Sequence, residues 1–249
     1  MIFMKMQRID KILSHHGFGS RKDVKKLLRT GCVLVNDIVC YDSDKHIDTE
    51  FDIIKVDDKI LEIRTFIYIM MNKCADMVCS NKDGLNKTVF DLLDEKYTIN
   101  FMGGTLHTVG RLDIDTEGLL ILTNDGALTH RLTSPKTDVP KTYFVKLRNF
   151  VDAENQKRYT KSFKTGINVP PEGKEEGFLA KSAQLNWISE NEVEIIITEG
   201  KYHQVKRMFA QMNNEVIYLK RIKIANLCLD KLIPCGGYRE MTKKELELL

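Results

Sequence analysis

The sequence predicts an α+β chain in two parts: a small N-terminal module of helices and short strands, then a larger α/β domain on a mixed, mainly antiparallel sheet. Three observations predict it. Apolar residues recur at helical spacing at Ile9, Ile12 and Leu13 and again at Val24, Leu27 and Leu28, then alternate at Val33 and Val35. Charge reverses over the same stretch: residues 1–36 hold eight Lys/Arg against two Asp, and residues 37–64 hold four Lys/Arg against nine Asp/Glu. Beyond it, strand patterns are joined by hairpins and irregular loops with helices inserted, which favours an antiparallel or mixed sheet over a doubly wound one. The expected domains are 1–64 and 66–249, with Thr65 and its neighbours as a short join.

The first helix stops at Gly17 and Gly19. Ser20, with Asp23 three residues later, forms a capping box for the second. That helix presents Val24, Leu27 and Leu28 inward and Lys22, Lys25, Lys26 and Arg29 on the opposite face, with Arg21 at its start. Gly31 ends it. A strand at Val33–Val35 turns at Asn36-Asp37, and strands at 53–56 and 60–63 flank an Asp57-Asp58 turn. In the larger domain, Phe66 to Met71 reads as a strand and Thr88-Val89-Phe90-Asp91 as a capped helix start. Leu106 to Val109 leads into a loop at Gly110, and Leu119 to Leu122 is a buried strand after it. Asn124-Asp125-Gly126 is a turn before a short helix, Ala127 to Leu132. Lys141 to Leu147 alternates as a strand with Tyr143, Val145 and Leu147 on one face, as do Val193, Ile195 and Ile197. Val205, Met208, Phe209 and Met212 mark a helix.

Composition narrows the function classes. With 43% hydrophobic and 29% charged residues, 249 residues can bury a sizeable core. No apolar run approaches the roughly 20 residues of a membrane span, and Met1 to Met6 is too short for a signal-peptide core. The six cysteines (Cys32, Cys40, Cys74, Cys79, Cys228 and Cys235) make no Cys-x-x-Cys pair, and read as free thiols in a reducing cytoplasm. Neither they nor the six histidines offer the close spacing of a zinc site, so no metal is expected. There is no phosphate loop or dinucleotide fingerprint; the Gly103-Gly104 pair does not make one. A basic helix beside an acidic sheet suggests a face aimed at a polyanion, although such faces also occur as plain solvated surface.

The run Gly110-Arg111-Leu112-Asp113-Ile114-Asp115-Thr116-Glu117-Gly118, ahead of Leu119-Leu120-Ile121-Leu122-Thr123-Asn124-Asp125-Gly126, carries the chemistry. A loop that ends on a buried strand holds its side chains rigidly. Read alone, Asp113 is a candidate nucleophile or base beside Arg111, or simply the acid of a β-turn. Tyr143 alone is a core tyrosine, and Lys206 alone a lysine snorkelling off a helix. The string as a whole, with Lys-Thr-Tyr at 141–143 and Glu-Gly-Lys-Tyr-His-Gln-Val-Lys-Arg-Met at 199–208, closely resembles the motifs of RNA pseudouridine synthases. Arg-Ile-Asp-Lys-x-Leu, Gly-x-x-Ser-Arg and Gly-x-Val-x-Val-Asn near the N-terminus resemble the S-four RNA-binding domain. Leu132–Lys136, Tyr202–Phe209 and Leu219–Ile222 are similar to the branch acting on small-subunit (16S) rRNA. The chain departs from the family at Cys74-Ala75-Asp76, where Pro-x-Gly usually follows Asn-Lys.

The resemblance implies an isomerase that breaks the glycosidic bond of a uridine and rejoins the ring through carbon. No atoms enter or leave, so it implies no cofactor. Asp113 would be the essential carboxylate, attacking base or sugar or deprotonating the sugar; the sequence does not choose. The base must leave the RNA stack to be reached. Arg111 would take its place and hold phosphate, Tyr143 would stack on the flipped uracil, and Lys206 would pair with Asp113 to keep it ionised. Arg8, Ser20, Arg21, Lys22, Lys25, Lys26 and Arg29 would lie on RNA, positioning it through phosphates. The implied partner is small-subunit rRNA, at the uridine-516 position, free or within an assembly intermediate, and a monomer is the simplest state. The rivals are a large-subunit rRNA enzyme, a non-catalytic ribosome-assembly factor, and a hydrolase using Asp113 on water. The factor would have no reason to keep Arg111, Asp113, Tyr143 and Lys206 together, and the hydrolase lacks a paired carboxylate at a fixed motif position.

Overall fold

The computed structural model describes residues 6–49, 51–63, 66–81, 83–97 and 105–249. Thr65, Gly103-Gly104 and most of the Met1–Met6 start lie outside the described residues. The chain divides into two compact units, Met1–Ile67 with Leu93–Leu106, and Tyr68–Leu92 with His107–Leu249.

In the first unit, α1 (Ile9–His15) ends before Gly17, whose φ of 88° suits a residue without a side chain. The second helix, α2 (Arg21–Arg29), starts on the expected box: the Asp23 amide donates to the Ser20 side chain and the Ser20 amide donates back to the Asp23 carboxylate. Such a cap is worth about 1 kcal/mol. Val24 and Leu28 are buried, while Arg21, Lys22, Lys25, Lys26 and Arg29 are exposed. The sheet is β2 (Ile38–Val39) beside β1 (Val33–Val35), then β3 (Ile54–Val56) and β4 (Lys59–Ile60), all antiparallel. Both hairpins turn on residue pairs with positive φ, Asn36-Asp37 and Asp57-Asp58, the geometry of a two-residue turn that follows strand twist. Ile9, Ile12, Leu13, Val24, Leu28, Val33 and Ile54 form one core at zero exposure, each contributing about 1.5–3 kcal/mol.

The second unit is a mixed sheet flanked by helices. Its strands in chain order are β5 (Tyr68–Lys73), β6 (Glu117–Thr123), β7 (Lys141–Leu147), β8 (Gln184–Trp187), β9 (Glu192–Ile197), β10 (Val216–Ile224) and β11 (Tyr238–Glu240). They lie in the order β8-β9-β7-β10-β6-β5-β11, with short strands added at β6 and β10. Every pairing is antiparallel except β10 with β6, where Arg221 stands beside Gly118. Gly118 has φ 103°, and a Cβ there would sit 2.2 Å from the Arg221 carbonyl oxygen, so glycine is required at this crossing. The helices are α3 (Gly126–Thr133), α4 (Ala153–Thr165) and α5 (Gln204–Ala210), with a short C-terminal helix at Lys243–Leu246. Tyr143, Val145, Leu147, Val193 and Ile195 pack with Tyr159 and Phe163 of α4 and Met208 and Phe209 of α5 in the main core. The rings of Phe163 and Phe209 are 4.8 Å apart.

Two expectations change, and two elements carried none. The capped helix at Thr88–Asp91 is only one 3-10 turn, Val89–Leu92; the Asp91 carboxylate accepts from the Thr88 amide, but no apolar face continues. The longest helix, α4, was missed, as only Tyr159 and Phe163 of its thirteen residues are buried. So was the longest strand, β10, where Lys220, Arg221 and Lys223 interrupt the apolar pattern. Finally, the cysteines are not all free thiols. Cys74 and Cys235 form a disulfide, their Cα atoms 5.3 Å apart across 161 residues of sequence, while Cys32, Cys40, Cys79 and Cys228 are free. A pairing at that separation leaves no spacing signal in the sequence.

Candidate active site

The loop between Val109 and Glu117 presents Asp113, and the fold holds it from below. Lys73, at the end of β5, is fully buried and donates to the carbonyl oxygens of Cys74 (2.9 Å), Asp113 (3.0 Å), Ile114 (3.1 Å) and Thr116 (2.8 Å). One ammonium thus ties down three residues of the Asp113 loop. Burial pushes the Lys73 ammonium down, against the raising influence of Cys79, Asp115, Asp113 and Glu117. Sequence reasoning missed this clamp because its acceptors are backbone oxygens, which have no residue signature. The departure from Pro-x-Gly lies next to it. Asp76 takes φ 61°, a conformation aspartate tolerates, at the position where the resemblance expects glycine, and Cys74, where it expects proline, bonds to Cys235. The Leu112 amide is also held, donating to the Cys79 thiol at 3.4 Å.

Arg111, Asp113 and Tyr143 meet in one cleft of about 70 Å³, whose far wall is Gly200, His203 and Gln204. The cleft opens along Arg111, Asp113 and His203 into a groove of about 690 Å³. Tyr143 is buried, with its ring among the core residues and one side on the cleft, while Arg111 is exposed. The loop before α5 is fixed by buried polar groups. Gln204 donates to Glu199 at 2.6 Å and accepts from the Lys201 amide at 2.9 Å, and Glu199 also accepts from the Lys181 amide at 2.8 Å. His203 adopts φ 48° and stacks on Tyr202 with ring centres 3.8 Å apart.

Lys206 makes the expected ion pair with Asp113 and a closer one with Asp115. Its ammonium donates to both carboxylate oxygens of Asp115, at 2.6 and 2.7 Å, and stands 3.8 Å from Asp113 Oδ2. Its main partner is therefore Asp115, and it lines a neighbouring hollow with that residue. Partial burial acts to raise the Asp115 carboxyl, but the Lys206 hydrogen bond and charge outweigh it and hold the group below the usual range. Asp115 is thus a second acid of the site, two residues from Asp113, and Lys206 bridges the pair.

On the first unit, Lys22, Lys25, Lys26 and Arg29 form one exposed basic face, with Arg21 at its start. Two other expected RNA contacts are engaged internally. Arg8 grips the buried Asp10 through two hydrogen bonds, 3.1 and 2.8 Å, and also bonds Asp44. Burial would raise the Asp10 carboxyl, but Arg8 overcomes it and keeps the group below its ordinary value. Ser20 is occupied by the helix cap.

A family model described as RNA pseudouridylate synthase matches residues 67–211, and one described as S4 domain matches residues 7–54. The chain is 40% identical over 247 residues to an uncharacterized RNA pseudouridine synthase of Bacillus subtilis, covering 97% of this chain and 98% of that protein. It is 41% identical over 239 residues to the ribosomal small subunit pseudouridine synthase A of Vibrio cholerae, covering 96% and 97%. A crystal structure of a pseudouridylate synthase superposes with a TM-score of 0.65 at 36% identity, covering 97% of this chain and 99% of that one.

Proposed function

This chain belongs to the RNA pseudouridine synthase family and carries an N-terminal S4 domain, and we propose that its substrate is a single uridine of small-subunit (16S) rRNA, at the uridine-516 position. The observation that carries the proposal is full-length identity of 41% to a relative named for the small subunit. Asp113 is the essential carboxylate in this reading. It supplies the negative oxygen that reacts with base or sugar once the uridine has left the stack. Arg111, exposed at the cleft mouth, fills the vacated place and meets phosphate; Tyr143 lies flat against the uracil. Lys206 sets a positive charge beside Asp113 and shares it with Asp115. The basic face of α2 docks on folded RNA and adds to the contact at the cleft in setting the register. The enzyme acts in the cytoplasm as a monomer, on rRNA or a partly assembled particle. The test is to map pseudouridine across both rRNAs with and without the gene. Loss of one small-subunit pseudouridine is expected; loss of a large-subunit one instead refutes the substrate.

A further inference from the structure

Beside the Asp113 cleft lies a second cavity of about 90 Å³, lined by Gly110, Arg111, Lys141, Tyr143, Gly200 and Arg221 among others. It shares Arg111, Tyr143 and Gly200 with the cleft. Three cationic side chains line it and no carboxylate does. We propose that this cavity is a phosphate subsite that receives the non-bridging oxygens of a phosphodiester next to the uridine at Asp113. The inference rests on the proposed RNA substrate and adds the group that fixes the backbone there.

Arg221 carries the argument. It is 2% exposed, and its Nε donates to the Leu119 carbonyl at 2.8 Å, while its buried Nη2 has no partner. An unpaired charged donor is costly to bury, so a buried guanidinium nitrogen left open beside a cavity favours an acceptor there. Lys141 is half-buried and donates to the Val139 carbonyl at 3.0 Å. Burial and the charge of Arg221 both push its ammonium down, with Asp138 acting the other way. Two cations held together in a low-dielectric recess are complementary to an anion. The strands make the recess rigid. Arg221 is in register with Tyr143 on one side and Gly118 on the other, and the β7–β10 ladder shifts register between Thr142 and Tyr143. Such irregularities re-aim side chains beside functional sites. The volume equals about three water molecules, room for the two free oxygens of a phosphodiester. A guanidinium fork and an ammonium match those oxygens.

The test uses a small-subunit rRNA fragment with the target uridine and one neutral methylphosphonate at the linkage on its 5′ or 3′ side. Affinity is measured for the wild type, Lys141→Met and Arg221→Lys, with melting temperature recorded for each. One of the two methylphosphonates is expected to weaken wild-type binding about tenfold, the value of one charge-assisted hydrogen bond. Lys141→Met is expected to weaken binding of unmodified RNA by a similar factor and to become insensitive to that methylphosphonate, with KM for RNA rising more than kcat falls. Equal methylphosphonate penalties in wild type and in folded Lys141→Met overturn the proposal, and so does the absence of a penalty at either linkage in the wild type, which needs no variant. Stabilisation by millimolar inorganic phosphate that Lys141→Met abolishes, with no RNA coupling, assigns the cavity to free phosphate and also overturns it. Wild-type enzyme that binds the fragment without converting it refutes the proposed function, and the binding coupling still decides the subsite.

Discussion

Lys73→Met removes the clamp under the Asp113 loop while keeping an unbranched apolar stem of similar length. Three N–H donors serve four carbonyl oxygens at 2.8–3.1 Å, three of them on the loop. A hydrogen bond to a charged group contributes about 1.5–3 kcal/mol. Three donors at the low end give roughly 4–5 kcal/mol, from which the burial cost of the ammonium must be subtracted, leaving about 3 kcal/mol. For a protein of this size that lowers Tm by about 6–12 °C. The loop, freed from its anchor, no longer holds Asp113 to within an ångström, and such a misplacement costs about 100-fold in rate. Thermal unfolding by circular dichroism gives the first number, and single-turnover conversion at a temperature where the variant is folded gives the second. RNA affinity should change by less than about threefold, since the exposed basic face of α2 is left intact. A variant that melts with the wild type and converts within about threefold of it refutes the clamp.

Asp113→Asn keeps the side-chain shape but removes the carboxylate, so conversion should vanish while RNA binding persists; residual turnover within about tenfold of wild type, only ~1.4 kcal/mol of barrier, removes Asp113 from that role. Replacing Lys22, Lys25, Lys26 and Arg29 together by alanine should weaken RNA binding and flatten its salt dependence by roughly one unit per lost phosphate contact, read from affinities across a salt series. Arg8→Ala should behave differently, lowering Tm by stranding the buried Asp10 while leaving the salt slope close to wild type. Alkylation of unfolded, unreduced protein should label the four free cysteines, and all six only after reduction; six labels without reduction would show that Cys74 and Cys235 are not joined.

Much of the fold was legible because its signals are local. The Ser20–Asp23 box, the glycines after α1, the Asn36-Asp37 and Asp57-Asp58 turns and the alternation of Lys141–Leu147 each depend on residues within one turn or one strand. The short reach of capping, turn and pleat geometry lets a one-dimensional pattern report them. Where polar residues dilute the pattern, as in α4 and β10, the elements exist because the sheet and the Phe163–Phe209 contact bury their few apolar groups, and the pattern is too thin to read.

The candidate site divides along the same line. Arg111, Asp113, Tyr143 and Lys206 were identifiable as residue types in motifs, since their identity is written in the chain. Their closest partners were not. Lys206 finds Asp115 across 91 residues, Lys73 finds the oxygens of residues 113, 114 and 116 across some 40, and Cys74 finds Cys235 across 161. Arg221 lines its cavity from a strand whose parallel pairing sets it beside Gly118. By itself, then, the sequence determined which chemical groups are present and which segments could be helix or strand, because both are properties of near neighbours. Tertiary structure decided which group answers which, because partners distant in sequence, and backbone oxygens that every residue carries, become distinguishable only when packing brings them within 3 Å.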